Sequence, residues 1–568
     1  MNLMKPLSRT MRGLLGGVSM IASLTAGDAM AEGAFDKTLT LNPARFAVVN
    51  VTVDGKPMVL RRYDAVYVGK PAAMASEQPA RRMGPGGSPS GADTQTLADP
   101  LTYQKLSIFV PETASETSAI ILNVNNGGWF ASELQSDIED GGAYRSDSDT
   151  DKAGAALAAG YVYVDIGSRG RGILAADGSL PGKAPAAVID TKAAIRYLRL
   201  NDTALPGSAE RIVITGTSGG GGLSSVVAAS GNSPDYLRHL AEIGAAGVAE
   251  DGTSSLNDDV FAVIAYCPIT DLGHADMAYE WLYGGIRTAE NTADNRWSGR
   301  VKAASAELAA AYPAYLDGLK LTRADGVPLT SATMKAAITD EVRKEVERHV
   351  AAGGTVPARG EDFEITLRQR GGEKTLVLQN DWVTVENGAV TALDFDAFLG
   401  FVAKTSALKN VPAFDRSANT GNEGIDGENS LFGAPTQAYS NFSAFGWNNN
   451  EVKRDGSGPD DTGMDWEGYT RGAGAALAEQ VRLINPMAYL RTEAKAAGYW
   501  YIRHGLIDRD TSFAVELSLA EAARMDGDVK SVDFRLPWMT AHSGNYDVRE
   551  AYAWLAGVLA QAGPPSRP

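Results

Sequence analysis

Cysteine, histidine and positive charge are all scarce in this chain: 568 residues contain one cysteine, five histidines, and 52 Lys+Arg against 69 Asp+Glu. Each scarcity excludes something. A lone Cys267 cannot close an internal disulfide, and its place in the apolar run FAVIAYCPITDL marks it as a small buried hydrophobe rather than a thiol catalyst. No His or Cys spacing matches a zinc site. Asp147-x-Asp149-x-Asp151 opens like a calcium loop, but Lys152 takes the glycine position and Ala158 the glutamate position, so no metal or other cofactor is expected. A net charge of -17 repels phosphates over most of the surface, which argues against nucleic acid or an anionic membrane as partner and for a small molecule.

Long hydrophobic runs are missing too. GLLGGVSMIASLTAG is shorter than the roughly 20 residues that span a bilayer. It follows Lys5, Arg9 and Arg12 and precedes Ala29-Met30-Ala31, the pattern of a secretory signal cleaved after Ala31. Residues 1–31 are therefore expected to be a leader, and the mature chain to be secreted or periplasmic and free of the membrane.

What remains is too long for one small core. FAVVNVTVDGKPMVLRRYDAVYVG alternates apolar and polar residues and reads as antiparallel strands broken at Asp54-Gly55. From about residue 150, helix-periodic segments such as APAAVIDTKAAIRYLRLN alternate with apolar strands such as RIVITGTS, which predicts a mostly parallel sheet between helices. That rhythm stops after FAVIAYCPITDL. Residues 275–475 carry amphipathic helices (VKAASAELAAAYPAYL, TMKAAITDEVRKEVERHVAA, DFDAFLGFVAKTSAL), loops rich in Gly, Asn and Asp, and few strand signals. Strand and helix then resume. The expected organisation is an α/β core in two parts, 32–274 and 476–568, with a large, mainly helical lid over 275–475 inserted between later strands.

The stretch VITGTSGGGGLSS lacks the lysine of a phosphate-binding loop, since Leu223 follows Gly222. It does fit G-x-S-x-G, as Gly216-Thr217-Ser218-Gly219-Gly220, between the strand RIVIT and the helix-capable LSSVVAAS, the setting of a nucleophilic serine on a sharp turn. Gly219 N–H and the Gly127-Gly128 loop after AIILNVNN are candidate donors to a developing oxyanion. A serine needs a base, and of His239, His274, His349, His504 and His542 only His542 sits on a loop after the last strand, as the order Ser, Asp, His requires. Asp508 and Asp510 follow the preceding strand; the HGxxD pattern favours Asp508 as the acid and makes His504 a turn residue, while either aspartate could instead cap a helix near Thr511.

GTSGGGGLSS, CPITDLGHAD, PAFD at 412–415, ENSLFG at 428–433, WYIRHGLIDRDTSF and LPWMTAHSGNYD together resemble the bacterial tannases, tannin acylhydrolases of the α/β-hydrolase fold. The resemblance implies hydrolysis of galloyl esters to gallic acid, with a lid that supplies part of the acyl pocket. It also implies that the phenolic hydroxyls are held by Lys409, by Glu428 or, with different gapping, Glu423, and by Asp510. Fungal-type tannases and related feruloyl esterases link the neighbours of serine and histidine by a disulfide; Thr217 and Ser543 stand there in this chain. The rival expectations are a feruloyl or other aromatic-acid carboxylesterase on the same machinery, and a non-catalytic binding protein on a hydrolase scaffold.

Overall fold

Successive strand residues feed two separate cores. Ile212 and Ile214 enter one apolar cluster and Val213 another; Ile120 and Leu122 oppose Ile121, and Trp500 and Ile502 oppose Tyr501, in the same way. Strands buried on both faces read as continuous apolar runs, which is why they were legible. The computed structural model describes residues 32–79, 94–293, 297–369, 372–416 and 427–565. The leader expected at 1–31 lies outside them. No helix among the described residues is long and apolar enough to cross a membrane.

One ten-stranded sheet organises the molecule. Its strands are β1 (Ala47–Val53), β2 (Lys56–Val66), β3 (Lys105–Pro111), β4 (Ile120–Val124), β5 (Ala143–Tyr144), β6 (Val162–Ile166), β7 (Ile212–Thr217), β8 (Ala262–Tyr266), β9 (Tyr499–Arg503) and β10 (Ser531–Arg535), in the spatial order β10-β9-β8-β7-β4-β6-β3-β2-β1-β5. From β10 through β6 every neighbouring pair is parallel. The β6-β3, β3-β2 and β2-β1 pairs are antiparallel, and the β1-β2 hairpin turns at Asp54-Gly55 as its alternation predicts. Helices α1 (Lys152–Ala158) and α9 (Val548–Ala562) fill one face with Leu157 and Leu555. On the other face, α2 (Ala186–Leu200), α3 (Gly219–Ala229) and α8 (Phe513–Arg524) bring Ile195, Leu223 and Leu517.

Between β8 and β9 none of the described residues adds a strand to this sheet. It forms α4 (Leu272–Tyr283), α5 (Gly299–Gly318), α6 (Met334–Ala351) and α7 (Phe395–Thr405), the last three on the segments read as amphipathic. The expectation of few strands here needs correction. Three antiparallel hairpins occur among the described residues: Leu321–Thr322 with Pro328–Leu329, Asp362–Gln369 with Gly372–Gln379, and Val383–Glu386 with Ala389–Leu393. Phe363, Ile365 and Leu367 do alternate inward, but the partner strand GEKTLVLQ is largely exposed and so lacks an apolar face to read.

Candidate active site

Ser218 joins the end of β7 to the start of α3 with φ 59° and ψ -121°, a conformation that strains any residue bearing a Cβ. Three backbone hydrogen bonds hold it there. Ser218 N–H donates to the Tyr266 carbonyl (2.9 Å), and the Ser218 carbonyl accepts from Gly222 N–H (2.9 Å) and Ile269 N–H (3.1 Å). The glycines around it answer to clearance. A Cβ on Gly216 would lie 2.4 Å from the Gly220 oxygen, on Gly219 2.3 Å from Trp129 N, on Gly221 2.6 Å from the Tyr266 oxygen and on Gly222 2.2 Å from the Ile269 oxygen. The first turn of α3 is thus pressed between two stretches of bare backbone, 126–129 and 266–269.

The loops after β9 and β10 lie together because Gly505 has no side chain; a Cβ there would stand 2.1 Å from the Thr540 oxygen. Ile507 N–H donates to Thr540 (3.1 Å) and Leu506 N–H to Pro537 (3.0 Å). This contact brings Asp508 to His542: Asp508 Oδ2 is 2.8 Å from His542 Nδ1, and His542 Nε2 is 2.9 Å from Ser218 Oγ. Asp508 Oδ1 accepts the Asp510 N–H (2.8 Å). Burial opposes the Asp508 charge, but His542 beside it and the hydrogen bonds outweigh that and hold the carboxyl well below its usual range. Burial likewise pulls His542 down, but Asp508 and Asp510 outweigh it and raise the imidazole well above the ordinary value. With Nδ1–H turned to a carboxylate, neutral His542 presents a lone pair on Nε2 to the serine hydroxyl. The helix-capping alternative for these aspartates falls away, since Ser512 caps α8 through Ala514 N–H.

Cys267 stands beside the same loops and donates its thiol to the Ser543 carbonyl (2.7 Å); burial pushes that thiol up to about 11. His504 is fully buried in this turn, with Nε2 3.2 Å from the Asp508 carbonyl oxygen.

After β4 the chain makes a single turn, Gly127–Trp129, in which Gly128 has φ 59°. The Gly128 nitrogen comes within 2.8 Å of where a Gly219 Cβ would stand, so the two N–H groups belong to adjoining backbone, and neither is spent on an acceptor among the described residues. Arg171, which sequence reasoning missed, braces this turn: Nε donates to the Gly128 carbonyl (2.6 Å) and Nη1 to Gly427 (2.5 Å), while Nη2 faces Glu428 at 3.8 Å. Glu428 is thereby tied to the glycine turn.

Asp510 lies 3.8 Å from His542 Nδ1 and pairs with Arg509. Burial works against its charge, but His542, Arg509 and Lys409 together lower its carboxyl. Lys409 is half-buried, its ammonium 4.1 Å from the Phe414 ring centre. Glu423 falls outside the described residues. The carboxylates of the broken calcium-loop pattern are dispersed: Asp147 pairs with Arg145, Asp149 with Arg549, and Asp151 caps α1.

A mostly parallel sheet flanked by helices, with a serine on the strand-helix turn and histidine and aspartate on the loops after the last two strands, is the α/β-hydrolase arrangement, and a family model, BD-FAE, matches residues 106–316. Fold and site together define a carboxylic ester hydrolase of that fold. Its particular likeness is to the tannases. The tannase of Fusobacterium nucleatum is 28% identical, with a TM-score of 0.68 over 92% of this chain and 99% of its own. That of Lactobacillus plantarum is also 28% identical, with a TM-score of 0.69 over 93% of this chain and 100% of its own. A tannin acyl hydrolase in complex with 3,4-dihydroxybenzoate is 29% identical, with a TM-score of 0.70 over 93% and 100%. Among curated proteins nothing matches.

Proposed function

We propose that this chain hydrolyses galloyl esters, of tannins and of simple alcohols, releasing gallic acid through an acyl-enzyme on Ser218. The observation that carries the reading is the unbroken hydrogen-bonded line Ser218–His542–Asp508 with Asp510 alongside it. Ligands held by similar proteins, 3,4-dihydroxybenzoate and ethyl gallate, support a hydroxylated benzoyl group as the acyl part.

In this scheme His542 Nε2 takes the Ser218 proton as Oγ attacks the ester carbonyl carbon. Charge developing on the carbonyl oxygen meets the N–H groups of Gly219 and Gly128, with Gly127 shaping the turn. The imidazolium returns the proton to the alkoxide as its C–O bond breaks. Water, deprotonated by His542, then attacks the acyl-enzyme and frees both the acid and Ser218. Asp510, Lys409 and Glu428 hold the ring hydroxyls, and polar partners of this kind reject a ring lacking hydroxyls far more strongly than an apolar slot would.

Ser218→Ala is expected to keep the fold and lose roughly 10⁴-fold or more in kcat on methyl gallate. The wild type should prefer methyl gallate to methyl ferulate and methyl benzoate. Equal kcat/KM on all three would replace this reading with a general aryl esterase. The proposal also has the chain exported after cleavage following Ala31; a mature N-terminus at Glu32 in periplasm or medium is expected, and full-length active chain in the cytoplasm would refute it.

A further inference from the structure

Next to Asp508 stand two groups that the acyl-transfer scheme leaves unused. His504 and Glu516 are both 0% exposed. Among the described residues, Glu516, in the first turn of α8, has no hydrogen-bond partner for either carboxyl oxygen, and neither has Nδ1 of His504. That Nδ1 lies 3.6 Å from Glu516 Oε1 and 3.6 Å from Asp508 Oδ2. Phe513 packs edge-on against the imidazole, its ring centre 4.8 Å away.

Proton positions follow from the partners. The Asp508 carbonyl can only accept, so Nε2 of His504 carries a hydrogen. A second proton on Nδ1 would make a buried cation, which burial disfavours, pulling this histidine below its ordinary range. An ionised Glu516 would be a buried carboxylate with nothing to satisfy it; burial first, then the Asp508 charge, drives its carboxyl well above the usual range. Both groups are neutral on these grounds, a carboxylic O–H facing an imidazole lone pair. At 3.6 Å there is no room for a water between them, and a few tenths of an ångström close the gap to a hydrogen bond.

We propose that Glu516 and His504 are positioning residues, in which the protonated carboxyl donates to His504 Nδ1 and thereby fixes the ring whose Nε2–H holds the loop that aims Asp508 at His542. The inference rests on the Ser218–His542–Asp508 reading. Neutrality is part of the device. The charged or titratable groups facing the pair are Asp508, Asp510 and His542, and another anion among them would stabilise the imidazolium further and spoil His542 as a base.

Glu516→Gln keeps a neutral donor toward Nδ1, and Glu516→Leu removes it. Glu516→Gln is expected to retain kcat within about threefold and to leave the acid limb of kcat/KM in place, whereas Glu516→Leu loses about tenfold or more in kcat with KM little changed. Infrared difference spectra of wild type against Glu516→Gln at pH 7 should contain the C=O stretch of a protonated carboxyl. The proposal is overturned if Glu516→Gln is as slow as a folded Glu516→Leu, if its acid limb moves, if the protonated-carboxyl band is missing, or if Glu516→Leu turns over like wild type. Should Glu516→Leu not fold, the glutamine variant and the infrared band decide. Activity surviving in Ser218→Ala would remove the underlying reading, whereas a dead Ser218→Ala beside a normal Glu516→Leu would remove this inference alone.

Discussion

Asp510 stands where two demands meet. Its carboxylate is 3.8 Å from His542 Nδ1 and senses the charge of Lys409. A negative charge there favours the imidazolium, so it raises the pH below which His542 is protonated and useless as a base. Activity should therefore rise with pH along a limb above the ordinary imidazole value of about 6.5. Asp510→Asn removes one of the two carboxylates that raise His542, so the limb should move to lower pH, a movement tempered by the screening of Asp510 by Arg509. The same change should raise KM for methyl gallate more than for a short p-nitrophenyl ester, because only the former has ring hydroxyls to lose a partner. A limb that stays put, or equal losses on both esters, would detach Asp510 from His542 or from the acyl ring respectively. Residues of this kind were legible where a short motif carries its own chemistry: Ser218 in G-x-S-x-G, Asp508 in HGxxD, His542 after the last strand. Arg171 and Glu516 were not, because nothing near Arg171 in the chain announces Gly128 or Glu428, and nothing in HGxxD announces the carboxyl that α8 brings to His504. Such contacts are made by topology rather than by spacing.

Helix α3 inverts the usual rule about glycine. In an open helix, Gly→Ala is worth up to about 1 kcal/mol of stability. At Gly222 the added Cβ would meet the Ile269 oxygen at 2.2 Å, a backbone atom that cannot rotate away. Overpacking of this sort costs about 1–3 kcal/mol, so the net sign is destabilising. The damage also reaches the nucleophile, since Gly222 N–H and Ile269 N–H both bind the Ser218 carbonyl. Gly222→Ala should lower the urea midpoint and reduce kcat together; a variant as stable and fast as wild type would mean that α3 can slide without consequence. The run of glycines was visible in the sequence, and the clearance at Gly216 was readable from the tight turn. The need at Gly221 and Gly222 was not, because the colliding backbone comes from β8 and the segment after it. Elements followed the same division. Doubly buried strands and long amphipathic helices were legible from their periodicity, while the three hairpins before β9 were hidden by two-residue strands and by faces too exposed to show an apolar pattern.

Across the whole molecule, two buried carboxylates connect the core to the segments that carry Lys409 and Glu428. Asp276, on α4 just after the core strand β8, accepts the N–H groups of Ala413 (2.7 Å), Phe414 (2.8 Å) and Asp415 (2.9 Å). Asp415 in turn gathers Asn429 Nδ2 (2.5 Å), Asn441 Nδ2 (2.7 Å), the N–H groups of Phe442 (3.1 Å) and Ser443 (2.8 Å), and Ser443 Oγ (2.6 Å). Five donors converge on two oxygens, so replacing one oxygen by an amide NH₂ sets donor against donor whichever way the amide turns. Asp415→Asn should destabilise the protein by about 1–3 kcal/mol or more, the cost of leaving buried donors unpaired. It should also act on specificity, because Lys409 and Glu428 flank the two segments that Asp415 ties together, whereas Ser218, His542 and Asp508 are held by β7, β9 and β10. The expected pattern is a lower urea midpoint and a raised KM for methyl gallate, with kcat on a short p-nitrophenyl ester nearly preserved. Loss of both activities in parallel would mean that the inserted segments shape the catalytic line itself, and an unchanged midpoint would mean that these five donors find other acceptors.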